Sequence, residues 1–413
     1  MPDPAVAEVF GTQWPRLVAT LRADFGDLDL AEDAAGHAFA VAAERWPHEG
    51  MPDAPGAWLV TVARRWAIDQ ARRDVRWRQR QSDVKAMIET PPRERGAVDD
   101  DLLAMIFGCC HRALDEPAQV ALTLRYVVGL PTAAIARSFL LPEATMAKRL
   151  VRAKKKVAAS GIPFRVPDRS DLGSPLSEVL RVVYVIYTQG HAAPSGELIR
   201  GDLCDEARWL AGSLCELLPD QSEVWGLAAL LAFTDARRPA RLDADGEVVV
   251  LQDQDRTLWN ARAVADGRRL LDTALRMRRI GTYQLQAAIA AAHTTAPSFE
   301  ATDWRTIRRL YAALAHIEPT PIVGLNEAVA VSMAEGPAAG LARLADLDAE
   351  LGDYHYFHLA RADMLAAAGE VDQARAAFAR AEELCGNPAE VRAIRRVAVS
   401  RLDEATARLP GAS

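Results

Sequence analysis

Val6, Val9, Phe10, Leu17, Val18 and Leu21 recur at three- and four-residue intervals, the rhythm that gathers apolar side chains on one helix face. Pro15 predicts a kink within that first helix. After a break at residues 26–29 a second helix is expected, with Asp29 as N-cap, Glu32 and Asp33 in its first turn, and an end near Trp46-Pro47. A third stretch, from Gly56 to about Arg80, carries Trp58, Leu59, Val62, Trp66 and Ile68 as its apolar side; Trp58 and Trp66 are assigned to the core. Periodicity then lapses over residues 82–100, where Pro91-Pro92 and mixed charge suit an exposed linker. It resumes over Asp101–Leu114 and Ala118–Val128, followed by two short helices separated by Leu140-Leu141-Pro142. From about Ser174 the chain is rich in Ala and Leu and again helical, except at Asp245-Gly246 beside Val248, Val249 and Val250, which predicts a hairpin or irregular excursion. Gly336-Pro337 and Gly369-Glu370 lie 33 residues apart between helical stretches, close to the period of a two-helix repeat. The pattern as a whole predicts an all-α protein.

Composition changes this picture in two places. Half of the 413 residues are apolar, enough for two or three domains of ordinary size rather than one core. No apolar run is long enough to span a bilayer, and MPDPAVAEVF lacks the basic start and apolar stretch of a signal peptide, so a cytoplasmic location is expected. The five cysteines are scattered without a C-x-x-C pair, which predicts reduced thiols, no disulfide framework, no metal site and no cofactor. Cys109-Cys110-His111 is assigned to core packing, because adjacent helical residues point about 100° apart.

Charge is the second place. The net charge of −7 is unevenly distributed: residues 1–165 hold 23 Lys and Arg against 21 Asp and Glu, so the acidity lies in the remainder. Arg64, Arg65, Arg72, Arg73, Arg76, Arg78 and Arg80 cluster in one helix, and residues 148–156 contain six bases and no acid. Within GLPTAAIARSFLLPEATMAKRLVRAKKK, residues 129–156, Pro131-Thr132 starts a short helix, Leu140-Leu141 makes the turn and Pro142 takes the first position of a second helix, as in a helix-turn-helix. Ala147, Leu150 and Val151 are expected inward on that helix. Thr145, Lys148, Arg149 and Arg152, at i, i+3, i+4 and i+7, form a face that can enter a major groove and reach phosphates and base edges. In TVARRWAIDQARRDVRWRQR the arginines can neutralise phosphates, and Trp77 is placed for contact with an unpaired base.

With these residues in view, residues 5–165 resemble an extracytoplasmic-function sigma factor of the sigma-70 family. LDLAEDAAGHAFAVAAERWP is similar to that family's core-polymerase-binding helix, PGAWLVTVARRWAIDQARR to the helix that reads and opens the minus-ten element, and LDEPAQVALTLRYVVGLPTAAIARSFLLPEATMAKRLVRAKKKV to the minus-thirty-five reading domain. IFGCCHRAL, SGIPFRVP and the residues after 174 resemble a subgroup with a long C-terminal extension ending in tetratricopeptide-like helices. The resemblance implies sigma region 2 over residues 1–81, a linker over 82–100, region 4 over 101–160, a connector over 161–173 and a helical extension over 174–413. It further implies RNA polymerase core enzyme and promoter DNA as partners. Asp29, Glu32, Asp33 and Phe39 would bind the polymerase, Arg64, Arg65, Arg72, Arg73 and Arg76 the minus-ten region, and Thr145, Lys148, Arg149 and Arg152 the minus-thirty-five element, with Asp99-Asp100-Asp101 at the end of a linker threading the polymerase. Pro15, Gly36-His37 and Pro131 depart from the usual pattern.

The extension offers no catalytic constellation. His191, Ser195, Glu197 and Asp202 form neither a nucleophile elbow nor a paired-ligand spacing, so a non-enzymatic role is expected. Arg237, Arg238, Arg241, Asp253, Asp255 and Arg256 predict an ion-pair and turn network, and the extension a modulating role toward a regulatory partner or ligand. The other reading is a self-sufficient helix-turn-helix regulator with a helical sensor domain, which has no need of a polymerase-docking helix.

Overall fold

The computed structural model describes residues 4–73, 95–139, 141–191 and 199–407. Among these residues the protein is all-α, with nineteen α-helices and no strand. It divides into two compact units, Met1–Ile186 and Tyr187–Ser413.

In the first unit α1 (Pro4–Phe25) runs unbroken through Pro15, so the expected kink does not end it. Its buried Trp14, Leu17, Val18, Leu21 and Phe25 form the centre of the unit. α2 (Leu28–Glu49) is capped by Asp27, whose carboxylate accepts from the Asp29 and Leu30 N–H groups; Asp29 is in the first turn rather than at the cap. The helix continues through Pro47 to Glu49. The inner face of α2 is Ala31, Ala34, Ala35, Ala38 and Ala42, and that of α3 (Pro55–Arg73) is Leu59, Ala63, Ala67 and Ala71. Small side chains at helical spacing let the two backbones approach closely. Trp58 and Trp66 are half-buried at the edge of this core: Trp58 meets Trp46 edge-on at 5.4 Å and Trp66 stacks on His37 at 5.4 Å.

α4 (Arg95–Cys109) begins six residues before the expected Asp101, so residues 95–100 of the anticipated linker are helical. Asp115 caps α5 (Glu116–Leu122) by accepting from the Ala118 N–H, and a π-helical turn, Thr123–Val128, ends at Gly129. Gly129 has φ 89°, and a Cβ there would stand 2.6 Å from the Trp14 ring. Both the left-handed backbone and the close approach of α1 require glycine. α6 (Thr132–Ser138) and α7 (Glu143–Ala159) follow. Cys109 and Cys110 are buried, and Gln119 Nε2 donates to the Cys110 and His111 carbonyls, as core packing predicts. α8 (Gly173–His191) spans the boundary between the units.

In the second unit α9 (Gly201–Leu217), α10 (Ser222–Ala236), α11 (Ala261–Arg276) and α12 (Thr282–Thr295) pack around α10, which is buried on almost every side. α13 (Trp304–Ile317), α14 (Pro321–Glu335), α15 (Pro337–Ala345), the short α16 (Asp348–Leu351), α17 (His355–Ala367), α18 (Val371–Leu384) and α19 (Pro388–Ala407) complete the unit. Gly336 (φ 106°) turns α14 into α15, and Gly369 (φ 84°) turns α17 into α18. The excursion at Asp245-Gly246 is a turn closed by one antiparallel bridge, Leu242 to Val248, with Asp243 accepting from the Asp245 and Glu247 N–H groups.

Candidate nucleic-acid interface

The helix-turn-helix is α6, the turn after Phe139, and α7. Leu140 lies outside the described residues, and the Leu141 N–H returns to the Ala136 carbonyl at 2.9 Å. Pro142 is the N-cap of α7 rather than its first residue, so the helix starts one residue later than expected, with Glu143 in the first turn and Lys156 in the last, each matched to the helix dipole. The buried stripe is Met146, Leu150, Ala153 and Val157; Ala147 and Val151, expected inward, face solvent. One turn in α7 separates Met146 from Leu150, so the stripe begins one residue earlier than Ala147 suggests.

The opposite face keeps its expected composition. Thr145, Lys148 and Arg152 are exposed, and Arg149 is half-buried with its guanidinium 5.3 Å from the Phe139 ring centroid. That ring lies in the turn and restrains Arg149, whereas Lys148 and Arg152 extend freely. Lys155 and Lys156 add exposed charge.

The arginines of α3 separate into two kinds. Arg65, Arg72 and Arg73 are exposed. Arg64 turns inward, its Nε 2.7 Å from Asp24 Oδ2, with side chains only 15% and 4% exposed. It braces α3 against α1 and offers no free cation to DNA. Arg76 and Trp77 lie outside the described residues.

The acidic start of α2 is engaged within the same unit. Glu32 pairs with Arg125 of the π-helical turn, and Asp29 pairs with Lys154 of α7. Asp33 is exposed, with partial burial and then the Asp29 carboxylate holding its carboxyl above the usual range. Phe39, expected at a docking surface, is buried with its ring 4.9 Å from Phe10 and 6.0 Å from Trp14. α1 makes further contacts of this kind: Arg16 Nε is 3.2 Å from Asp99 Oδ1 of α4, and the Arg22 guanidinium lies 4.0 Å over Phe164, beyond α7. Asp99 is therefore part of a helix and paired, not the free end of a linker. Arg125 and Lys154 as partners of α2 went unread in the sequence, where only opposite charge on two helices could have suggested them.

In the second unit Arg238 pairs with Asp205 at 2.9 Å and Asp235 at 3.2 Å, Arg256 donates to the His293 and Ala296 carbonyls, and Asp255 caps Thr257. The expected network is met in part: Arg238 finds its carboxylates in Asp205 and Asp235, outside the residues expected, and Arg241 and Arg256 donate to backbone carbonyls. Burial, then the cations Arg241 and Arg237, push His191 down to about 2, which leaves it neutral and unsuited to acid–base work at ordinary pH. Ser195 and Glu197 lie outside the described residues.

Residues 104–157 match the model of sigma-70 region 4, and residues 175–275 match a family of unknown function (DUF6596). The protein is thus an all-α protein carrying a sigma-70 region 4 helix-turn-helix, a DNA-binding domain, and this supports its place among sigma-70 family members. The chain belongs to one family with an uncharacterized protein of Rhizobium meliloti (strain 1021), 42% identical over 390 residues that cover 92% of each chain. No solved structure matches. Among the described residues no helix is long and apolar enough to cross a membrane.

Proposed function

We propose that the protein is an RNA polymerase sigma factor of the extracytoplasmic-function type, with residues 1–81 as region 2 and a C-terminal extension from residue 174 that modulates its activity. The observation that carries this reading is the exposed cationic face of α7 within a sigma-70 region 4 match. Thr145, Lys148 and Arg152, with Arg149 steadied by Phe139, contact the minus-thirty-five element. Arg65, Arg72 and Arg73, continued by Arg76, engage the minus-ten region, while Asp29, Glu32 and Asp33 bind the core enzyme. Arg64 and Phe39 hold α3 and α2 in place and touch neither partner. The glycine turns at Gly336 and Gly369 support a tetratricopeptide-like end to the extension.

The first unit is a closed form in this reading. Promoter elements centred about 25 base pairs apart are separated by roughly 85 Å of duplex at 3.4 Å per step. A compact body of this size has a radius of gyration of about 16 Å, or about 40 Å across, and cannot contact both elements at once. Extended at about 3.3 Å per residue, the chain between Arg73 and Arg95 could reach roughly 70 Å. Binding of polymerase to α2 would displace Lys154 and Arg125 from Asp29 and Glu32, releasing α7 toward its own element.

One observation favours the operator-binding regulator: the cationic face of α7 is exposed in the same form in which Glu32 and Asp29 of α2 are paired. Run-off transcription by bacterial core polymerase, from the promoter upstream of the protein's own gene, separates the two. Start-site-specific transcript that depends on this protein is expected; DNA binding without any effect on initiation would favour the regulator. Comparing the full chain with residues 1–165 gives the sign of the extension's effect.

A further inference from the structure

Three residues from three helices of the second unit converge on one point. His355 opens α17, Cys385 ends α18 as its C-cap, and Glu390 sits in the first turn of α19. His355 Nε2 is 3.6 Å from Glu390 Oε2, Cys385 Sγ is 3.7 Å from the same oxygen, and all three donor atoms lie within 4.8 Å of one another. His355 Nε2 is buried and has no hydrogen-bond partner. A buried polar nitrogen left in this way is uncommon and calls for an acceptor of its lone pair or its proton.

We infer that His355, Cys385 and Glu390 form a binding site for a borderline divalent transition metal, with zinc as the ion it fits best. With Zn–N and Zn–O near 2.0–2.2 Å and Zn–S near 2.3 Å, a tetrahedral ion sets its ligand atoms about 3.3–3.7 Å apart. The two distances to Glu390 already stand there, and only the gap between Sγ and Nε2 has to close, by about 1 Å at most. Mixed thiolate, imidazole and carboxylate donors select zinc over the oxygen-seeking magnesium and calcium. Charge agrees as well. On binding, the Cys385 thiol releases its proton to solvent, and thiolate plus carboxylate neutralise a dication in a half-buried place.

The surroundings orient the donors. The Tyr356 hydroxyl donates to Glu390 Oε1 at 2.8 Å, which leaves Oε2 directed at the cluster. The His355 ring packs 4.0 Å from Tyr356 and 5.6 Å from Tyr354. Three protein ligands leave a fourth position for water. An ion here would tie the start of α17, the end of α18 and the start of α19 together, whatever the protein does in transcription.

The test uses the full chain stripped of metal, with Co²⁺ as a spectroscopic probe and Zn²⁺ in competition with a chromophoric chelator. One equivalent of Co²⁺ should bind with a near-ultraviolet thiolate-to-cobalt band, and one equivalent of Zn²⁺ should displace it. Cys385→Ser should abolish the band, His355→Gln and Glu390→Gln should weaken Zn²⁺ at least tenfold, and Tyr356→Phe should weaken it about tenfold. Zn²⁺ should raise the melting temperature of the parent but not of Cys385→Ser, a near-isosteric change expected to keep the fold. No charge-transfer band, a band that persists in Cys385→Ser, or undiminished Zn²⁺ binding by His355→Gln would each overturn the site and leave a His355–Glu390 contact beside a thiol.

Discussion

Two charged helices of the first unit have opposite fates. α7 spends one of its cations, Lys154, on α2 and keeps Thr145, Lys148 and Arg152 in solvent, whereas α2 has Glu32 and Asp29 both engaged by region 4. Charge pattern alone marks both helices as candidate surfaces. What separates them is pairing, and pairing depends on which residues the fold brings opposite one another. The acidic start of α2, a candidate surface by its sequence, has Glu32 and Asp29 paired to cations of region 4 within the same unit, while Asp33 stays exposed.

Phe39→Ala should have the largest effect. If Phe39 is a core residue of α2, the change should destabilise the first unit by about 3–5 kcal/mol in denaturant unfolding. A polymerase contact would instead cost affinity and leave the unfolding midpoint unchanged. Next comes Arg64→Ala, which removes one charge-assisted hydrogen bond to the nearly buried Asp24; a loss of about 2–3 kcal/mol of stability is expected, with little change in the salt dependence of DNA binding. Arg152→Ala, on the free face of α7, should cost roughly 1–3 kcal/mol in promoter binding if it reads a base edge. If it meets phosphate only, all sequences should weaken alike and the salt slope should fall by about one. Arg125→Ala leaves Glu32 half-buried and unpaired by region 4. It should cost the closed unit roughly 2 kcal/mol and raise the observed affinity for core polymerase. Lys154→Ala should have the smallest effect, below about 1 kcal/mol, because Asp29 is 63% exposed and its pair is screened by solvent.

Much of the fold was legible because it follows from local rules. The helices, the helix-turn-helix, the glycine turns at Gly336 and Gly369 and the burial of Cys109-Cys110 come from periodicity, backbone conformation and side-chain direction. Errors of one register step arose where two residues satisfy the same rule: Asp27 and Asp29 can both cap α2, and Met146 and Ala147 can both start the α7 stripe. The start of α4 at Arg95 was hidden by Pro91-Pro92 and mixed charge, which mark an exposed segment without saying where it ends. Long-range pairing was not legible at all. Glu32 and Arg125 are 93 residues apart and Asp29 and Lys154 are 125 apart, and no local pattern encodes either contact. The convergence of His355, Cys385 and Glu390 is hidden for the same reason: no short motif holds these donors, which come from the ends of three helices.

We propose above all that the first unit is a closed form that opens on the polymerase. The most direct measurement is energy transfer between a donor at the exposed Glu44 of α2 and an acceptor at the exposed Lys155 of α7, in the free protein and in complex with core polymerase and promoter DNA. The account predicts high transfer in the free protein and its loss in the complex, where the separation should exceed about 60 Å, as promoter elements roughly 85 Å apart require. Transfer that stays high in a complex making start-site-specific transcript would contradict it.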